Sequence, residues 1–304
     1  MSTVILVGNI ARCGRPVLER ELGPAWTFLD YPCDLSAADV VIGGPVTTEM
    51  IAAMPRLRLV HSPGAGYETI ALDALPRGVP VCNVYHHESA IAEHVLMVML
   101  ALDRGLIAQD RQLRNGRWEG SCVTGPPLAR ELAGRTLGVV GLGHIGRSSA
   151  RLAEAFGMAT HGIGSRHQRS DLERLLASSD FVLISCPLSP RTRGLIGMAE
   201  LRLMRPEACL INVARGPVVD EDALYEALRK RGIRGAALDV WYQYPRDGRP
   251  KLPSDLPFHE LDNVILTPHS SGWTEQVLEH RFRDVAANLR RLDAGEPLVN
   301  MIHR

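Results

Sequence analysis

The sequence predicts an α/β protein with two doubly wound parallel sheets, each in its own domain, and a cleft between the domains. Short apolar runs alternate with helical segments along the chain, and this alternation produces parallel sheets covered by helices on both faces. The strand–helix series starts twice, first near the N-terminus and again near Leu137. A chain of 304 residues is also long enough for two hydrophobic cores.

The predicted strands are short apolar runs bounded by turn residues. In the first series they are Val4–Val7, Val40–Gly43, Leu57–Val60 and Val81–Val84. In the second series they are Leu137–Val140, Ala159–Ile163, Phe181–Ile184, Cys209–Val213, Ile233–Leu238 and Val264–Leu266.

One long apolar helix, Ser89–Arg114, joins the two series, and Gly120–Pro127 after it is an irregular arm because Gly and Pro interrupt regular structure. Amphipathic patterns predict further helices at Ser148–Phe156, Asp171–Ala177, Asp222–Arg231 and Thr274–Asp293. We therefore expect residues 1–88 and 272–304 to form one discontinuous domain and residues 89–271 to form the other.

The composition excludes several classes of partner. Lys plus Arg and Asp plus Glu both number 34, so the surface has no general attraction for nucleic acid or an anionic membrane. The longest apolar run, Val95–Leu102, is too short to span a bilayer. The six cysteines are scattered without a Cys-x-x-Cys motif, which indicates reduced thiols. Since no export signal is visible, we expect a cytoplasmic protein without nucleic-acid or membrane partners.

A Gly-x-Gly-x-x-Gly motif, Gly141–Gly146, follows a predicted strand and opens a predicted helix. Gly141 permits a tight turn, Gly143 lets the backbone approach a pyrophosphate, and Gly146 lets the strand and helix pack closely. The helix N-terminus offers N–H groups and the positive end of its dipole to the phosphates. The sequence therefore predicts a Rossmann dinucleotide site at Gly141, Gly143, His144, Ile145 and Gly146.

The end of the next strand distinguishes the two nicotinamide cofactors. An acidic residue normally holds the ribose 2′-hydroxyl of NAD at this point. Here the strand ends in Gly164-Ser165-Arg166, which lacks a carboxylate. Ser165 and Arg166 can instead donate hydrogen bonds to a 2′-phosphate. This favours NADP, with NAD as the alternative.

Further motifs follow in order along the chain, and they are Pro187–Ile196, Ile211–Gly216, Ala237–Val240 and Thr267–His269. With these motifs and the glycine turn, the chain resembles the D-isomer-specific 2-hydroxyacid dehydrogenases over nearly its whole length. The resemblance implies hydride transfer between NAD(P)H and a small 2-oxo or 2-hydroxy acid. It also implies a homodimer paired through the helix and arm around Ser89–Pro127.

The resemblance assigns roles to particular residues. Arg215 would clamp the substrate carboxylate and polarise the 2-carbonyl, and His269 would exchange a proton with the carbonyl oxygen. Asp239 would lie by the nicotinamide carboxamide, and Pro187 and Val213 would also contact the cofactor. In the first domain, the turn Gly64-Ala65-Gly66 would bind the substrate carboxylate through backbone N–H groups, and Asn83 would line the same region.

The chain departs from the family at one position. Relatives commonly carry a Glu immediately before the Pro that corresponds to Pro245, and this Glu orients the catalytic His and favours its charged form. Here that position is Tyr244, preceded by Gln243. We expect Tyr244 or Gln243 to hydrogen-bond His269, with a carboxylate from Glu88 or Glu93 as the alternative.

The main functional prediction is an NAD(P)H-dependent reductase of small acids such as glyoxylate or hydroxypyruvate. Two alternatives are a formate- or phosphite-type dehydrogenase, which the missing Glu favours, and a nucleotide-sensing corepressor with weak catalysis. The segment Tyr85–His94 contains three His and two Glu residues, but their spacing does not suit one compact metal site, so no metal is predicted.

Overall fold

The computed structural model describes residues 2–245 and 249–303. The chain divides into two compact units. The discontinuous unit comprises Met1–His86 and Thr274–Arg304, and the central unit comprises His87–Trp273.

In the described residues, twelve strands form two sheets of six. The strands are β1 (Ser2–Val7), β2 (Trp26–Asp30), β3 (Val40–Gly43), β4 (Leu59–His61), β5 (Val81–Cys82), β6 (Thr136–Val140), β7 (Ala159–Ile163), β8 (Phe181–Ile184), β9 (Cys209–Asn212), β10 (Gly235–Leu238), β11 (Val264–Leu266) and β12 (Met301–His303).

The α-helices of the described residues are α1 (Asn9–Cys13), α2 (Arg15–Leu22), α3 (Thr48–Ala52), α4 (Glu88–Arg104), α5 (Leu106–Arg114), α6 (His144–Ala155), α7 (Arg169–Ser178), α8 (Met198–Leu203), α9 (Glu221–Arg229) and α10 (Glu275–Ala294). None of these helices combines the length and the apolar character that a membrane span requires.

The sheet of the discontinuous unit has the order β12-β5-β4-β3-β1-β2, parallel except for the antiparallel β12. Alternate residues of β1 enter different cores, because side chains on a strand point to opposite faces. Val4 and Leu6 pack with Phe282 of α10, and Ile5 packs with Met50 of α3. Both faces of this sheet are therefore buried, as is usual for parallel strands.

The sheet of the central unit has the order β11-β10-β9-β8-β6-β7 and is parallel throughout. Leu137 packs with Val95 of α4 on one face, and Val140 packs with Leu172 of α7 on the other. Both units thus confirm the predicted doubly wound α/β class. In the central unit the strand order reverses between β6 and β8, which is where such sheets bind ligands.

The structure differs from the predicted elements at several points, and the short helices α1, α2, α3 and α8 have no predicted counterpart. The predicted helix Ser89–Arg114 is divided at Gly105, whose φ of 61° ends α4 in the left-handed conformation that glycine adopts most easily. Two edge strands, β2 and β12, were not predicted. The exposed residues Leu29 and Asp30 at the end of β2 interrupt its apolar pattern, and β12 pairs only with β5. An edge strand needs less apolar sequence than a central strand, because fewer of its residues are covered.

Candidate active site

Three adjacent strands of the central unit place the main predicted residues at one edge of the sheet. Arg215 follows β9, Asp239 follows β10, and His269 follows β11, and these strands are neighbours in the order β11-β10-β9. Because parallel strands end at the same edge, the three side chains belong to one region of the unit.

Asp239 is 1% exposed and fixes the segment that carries His269. Its Oδ1 accepts hydrogen bonds from the Thr267 hydroxyl at 2.6 Å and the Ser270 N–H at 2.9 Å. Its Oδ2 accepts from the Ser271 N–H at 3.0 Å. His269 lies within this segment at a φ of 59°, a conformation that costs a non-glycine residue on the order of 1 kcal/mol. The Asp239 carboxylate therefore stabilises the unusual backbone that presents the imidazole.

Tyr244 lies beside His269, with its hydroxyl oxygen 3.0 Å from His269 Nδ1. The same oxygen accepts a hydrogen bond from the Trp241 N–H at 3.2 Å. Burial raises the pKa of Tyr244, the Asp239 charge also raises it, and the Trp241 N–H and the Arg215 charge lower it. The hydroxyl therefore keeps its proton at neutral pH. Gln243 is held through its own backbone N–H, which donates to the Pro253 carbonyl at 3.0 Å.

The backbone around Arg215 is held by Asn212, the last residue of β9. The Asn212 amide donates to the Arg215 carbonyl at 3.1 Å, and its Oδ1 accepts from the Ala214 N–H at 3.0 Å. A side chain on Gly216 would lie 2.4 Å from the Trp241 carbonyl oxygen, so only glycine permits this approach. The approach brings the Arg215 segment close to the segment that carries Tyr244.

The glycine turn lies between β6 and β8, where the strand order reverses. Gly141 has a φ of 115°, and a Cβ there would lie 2.5 Å from the Cys186 nitrogen. A Cβ on Gly146 would lie 2.2 Å from the Gly141 carbonyl oxygen. The structure itself thus requires glycine at both positions.

Gly143 differs from its neighbours, because a Cβ there would meet no described atom within 4 Å. It is the N-cap of the twelve-residue helix α6 and has no side chain, so it places no capping group between a ligand and the start of this helix. Space beside Gly143 and a helix N-terminus fit the pyrophosphate of a dinucleotide.

The other predicted cofactor residues of the central unit lie after the strands β7, β8 and β9 or at the start of α6. Ser165 and Arg166 are exposed after β7, in a turn where the Gly164 N–H donates to His167 Nδ1 at 2.9 Å. Pro187 is exposed after β8, and His144 is exposed at the start of α6. Ile145 and Val213 pack in the core, with Val213 5% exposed.

In the discontinuous unit, the turn Gly64–Gly66 directs its carbonyl groups inward. The Gly64 carbonyl accepts a hydrogen bond from the Val84 N–H at 3.3 Å. The Ala65 carbonyl accepts one from the Asn83 amide at 2.9 Å, and the Gly66 carbonyl accepts one from the Ser62 hydroxyl at 2.6 Å. In a trans peptide the N–H points away from the carbonyl. The N–H groups that follow these carbonyls, those of Ala65, Gly66 and Tyr67, therefore point away from this interior. In this orientation they can donate hydrogen bonds to an anion outside the turn.

Sequence analysis missed two residues of these regions, Ser62 and Thr267. Each acts through a single hydroxyl group that contacts a backbone carbonyl or a buried carboxylate. For Thr267 the Thr-Pro-His motif gave a signal. Nothing local distinguishes Ser62 from a solvent-exposed serine.

Comparison with known proteins gives consistent matches. Residues 96–271 match the family described as D-isomer specific 2-hydroxyacid dehydrogenase, NAD binding domain. The glyoxylate reductase of Korarchaeum cryptofilum is 34% identical over 89% of this chain and 83% of that protein. The glyoxylate/hydroxypyruvate reductase B of Pectobacterium carotovorum is 35% identical over 92% of this chain and 89% of that protein. A solved acyclic imino acid reductase, in complex with NADPH and D-Arg, aligns over 99% of this chain and 100% of its own, with a TM-score of 0.82 and 28% identity.

Proposed function

Because this chain belongs to the D-isomer-specific 2-hydroxyacid dehydrogenase family, we propose that it is an NAD(P)H-dependent reductase of small 2-oxo acids such as glyoxylate and hydroxypyruvate. The observation that carries this proposal is the placement of Arg215, Asp239 and His269 on three adjacent strand ends of the unit that contains the glycine turn.

The cofactor would be held by the glycine turn and the N-terminus of α6, with His144, Ile145, Pro187 and Val213 around it. When bound, the reduced nicotinamide supplies the hydride. We propose NADPH as the preferred cofactor, because Ser165 and Arg166 stand where a carboxylate would otherwise hold the ribose of NADH. We also propose that Asp239 adjoins the nicotinamide carboxamide in addition to fixing the His269 segment.

Arg215 and His269 would act on the two oxygen-bearing groups of the substrate. The Arg215 guanidinium matches a carboxylate in shape and charge, and it polarises the adjacent 2-carbonyl. In its imidazolium form, His269 would donate from Nδ1 to the Tyr244 oxygen, 3.0 Å away, and would carry a second proton on Nε2. The Nε2 proton would pass to the carbonyl oxygen as hydride reaches the carbonyl carbon, which leaves a hydroxyl group on the product and neutral imidazole on His269.

The turn Gly64–Gly66 would contribute backbone N–H groups to the substrate carboxylate. Its inward carbonyls are held by Ser62, Asn83 and Val84, and this support fixes the N–H groups before a ligand arrives. Asn83 is thus a positioning residue in this proposal.

The activity is tested by following NADPH absorbance with glyoxylate, hydroxypyruvate, pyruvate, formate and phosphite. We expect consumption of NADPH with the 2-oxo acids. Arg215→Ala should reduce kcat/KM at least 100-fold while NADPH still binds, and Arg229→Ala, an exposed control on α9, should retain activity. Full activity of Arg215→Ala, or NADP reduction by formate or phosphite without 2-oxo acid reduction, would contradict the proposal.

The cofactor preference is tested by Arg166→Ala. We expect kcat/KM for NADPH to fall about tenfold, since a charge-assisted hydrogen bond contributes roughly 1.5–3 kcal/mol. NADH serves as the internal control, because it has no 2′-phosphate and its kcat/KM should stay within about twofold. If kcat/KM falls equally with NADPH and NADH, Arg166 does not contact the 2′-phosphate.

We further propose a cytoplasmic homodimer. The dimer is supported by a group of large apolar side chains that stay exposed on α4, α5 and the following arm: Met97, Leu106, Ile107, Leu113, Trp118, Val123 and Leu128. Light scattering should report a dimer for the wild-type chain and for Ile10→Glu, an exposed isoleucine on α1. Ile107→Glu should dissociate it, and an unchanged dimer would place the interface elsewhere.

A further inference from the structure

Helix α10 lines a cavity of about 190 Å³ in the discontinuous unit with four of its residues, Asp284, Ala287, Asn288 and Arg291. Their spacing of three and four residues places them on one face of the helix, since an α-helix has 3.6 residues per turn. Asp284 and Arg291 are at the two ends of this face, about 10 Å apart along the helix axis. Ala287 has a short side chain, which leaves space between the carboxylate and the guanidinium.

The opposite wall of the cavity consists of Val84, which follows β5, and of Val299 and Asn300, which precede β12. Asn288 joins this wall to the helix. Its amide donates to the Val299 carbonyl at 2.9 Å, and its Oδ1 accepts from the Val299 N–H at 2.9 Å. The Asn300 carbonyl accepts from the Asn83 N–H at 3.1 Å. These hydrogen bonds fix the segment that closes the cavity against α10.

The two charged groups of the cavity have few partners of their own. Asp284 Oδ2 lies 2.7 Å from His86 Nε2, and no second ion pair of Asp284 is found in the part of the chain that the structure describes. Within residues 2–245 and 249–303, the Arg291 guanidinium forms no hydrogen bond or ion pair. The cavity therefore presents a carboxylate and a guanidinium that do not neutralise each other.

We propose that this cavity binds a small α-amino acid, whose carboxylate pairs with Arg291 and whose ammonium group pairs with Asp284. A guanidinium matches a carboxylate in shape and charge, and a carboxylate accepts hydrogen bonds from an ammonium group. The cavity has room for about six water molecules, which suits glycine, alanine or serine. A simple anion would leave Asp284 without a partner charge, and a simple cation would leave Arg291 without one.

The site is separate from the proposed reaction. All residues of the cavity belong to the discontinuous unit, whereas Arg215 and His269 belong to the central unit. Binding can therefore be measured without a cofactor or a 2-oxo acid, and a failure of the proposed function would not affect the result.

Calorimetric titration of the wild-type chain with glycine, L-alanine and L-serine tests the proposal. Propionate keeps the carboxylate of alanine without an ammonium group, and ethylamine keeps an ammonium group without a carboxylate. We expect one saturable site per chain for at least one of the amino acids, and at least tenfold weaker binding of propionate and ethylamine. If none of the three amino acids binds, or if propionate binds as tightly as they do, the proposal is wrong.

Substitutions on α10 locate the binding site. Asp284→Asn and Arg291→Gln each remove one charge, so the Kd of the bound amino acid should rise at least tenfold in both variants. The matched controls are Asp293→Asn and Arg290→Gln, which change exposed charges of the same helix that do not line the cavity. Their Kd should stay within about twofold of wild type.

Melting temperatures show whether each variant folds. Unchanged affinity in folded Asp284→Asn and Arg291→Gln would place the bound amino acid elsewhere and overturn the proposal. If either variant does not fold, the comparison of the amino acids with propionate and ethylamine in the wild-type chain decides the outcome, because it requires no substitution.

Discussion

The hydroxyl oxygen of Tyr244 lies 3.0 Å from Nδ1 of His269. A phenol can donate a hydrogen bond to neutral imidazole and can also accept one from imidazolium, whereas a carboxylate can only accept. Tyr244 therefore orients His269 in either protonation state without the strong electrostatic preference for imidazolium that a carboxylate provides. This contact stands where relatives commonly carry a Glu.

Replacing Tyr244 tests this relationship directly. Tyr244→Phe removes the hydroxyl from both His269 and the Trp241 N–H, so we expect kcat to fall about tenfold, as for a lost hydrogen bond of roughly 1–1.5 kcal/mol. Tyr244→Glu introduces a carboxylate that stabilises imidazolium. The basic limb of the profile of kcat against pH should then move to higher pH.

The pH profiles of Tyr244→Phe and Tyr244→Glu distinguish the effect of orienting His269 from the effect of placing a negative charge beside it. Stopped-flow reduction of a 2-oxo acid between pH 5 and 9, an interval chosen to span the ordinary titration of histidine near 6.5, provides the measurement. Gln243→Ala is the adjacent control and should keep the wild-type profile. If Tyr244→Phe has wild-type kcat at every pH, the tyrosine does not position His269.

Asp239→Asn tests how the His269 segment is held. Asparagine can still accept from Thr267 and Ser270, but its amide NH₂ would face the Ser271 N–H, which is also a donor. We expect a loss of about 1–3 kcal/mol in the free energy of unfolding and at least a tenfold fall in kcat. Urea denaturation and steady-state kinetics measure the two effects. Unchanged kinetics in a destabilised variant would limit Asp239 to a structural role.

The glycine turn supplies a matched pair of substitutions. Gly146→Ala places a Cβ 2.2 Å from the Gly141 carbonyl oxygen, so we expect a lower melting temperature and no cofactor binding. Gly143→Ala meets no described atom within 4 Å, so the variant should keep a near-wild-type melting temperature. Its NADPH affinity, measured by fluorescence titration, should nevertheless fall at least tenfold. Normal affinity would place the pyrophosphate elsewhere.

His61 predicts how stability depends on pH. It is fully buried, its Nδ1 donates to the Ser62 carbonyl at 3.0 Å, and its Nε2 accepts from the Asn288 amide at 3.0 Å. Burial lowers the pKa of His61 from 6.5 to about 4, while the Ser62 carbonyl and the Asp284 charge oppose this effect. The folded state thus favours neutral His61, whereas the unfolded chain takes up a proton near pH 6.5.

The stability contributed by neutral His61 is complete above pH 6.5 and is lost as the pH falls toward about 4. The total loss is on the order of 3 kcal/mol. Urea denaturation of wild type and His61→Gln at several pH values isolates this contribution, since the other titrating groups are shared. We expect the difference in the free energy of unfolding between wild type and His61→Gln to become smaller as the pH falls. A difference that does not change with pH would be inconsistent with the titration of His61.

Much of the fold was accessible from local sequence. Glycines at Gly141, Gly143 and Gly146, placed between an apolar run and a helix, define a dinucleotide turn because the requirements on φ and space are met within a few residues. The alternation of strands and helices likewise predicted two parallel sheets. The division at Gly105 was less accessible, because a single glycine within an apolar helical pattern is often tolerated.

The sequence by itself determined the order of the elements, the glycine turn and the positions of Arg215 and His269 after strands. Only the tertiary structure decided that Tyr244 contacts His269, that Asp239 fixes the His269 segment, and that Val84 and Arg291 line one cavity. The physical reason is the range of the interactions. Strand pattern and glycine conformation depend on neighbouring residues, whereas these contacts join segments that meet only after sheets and helices have packed.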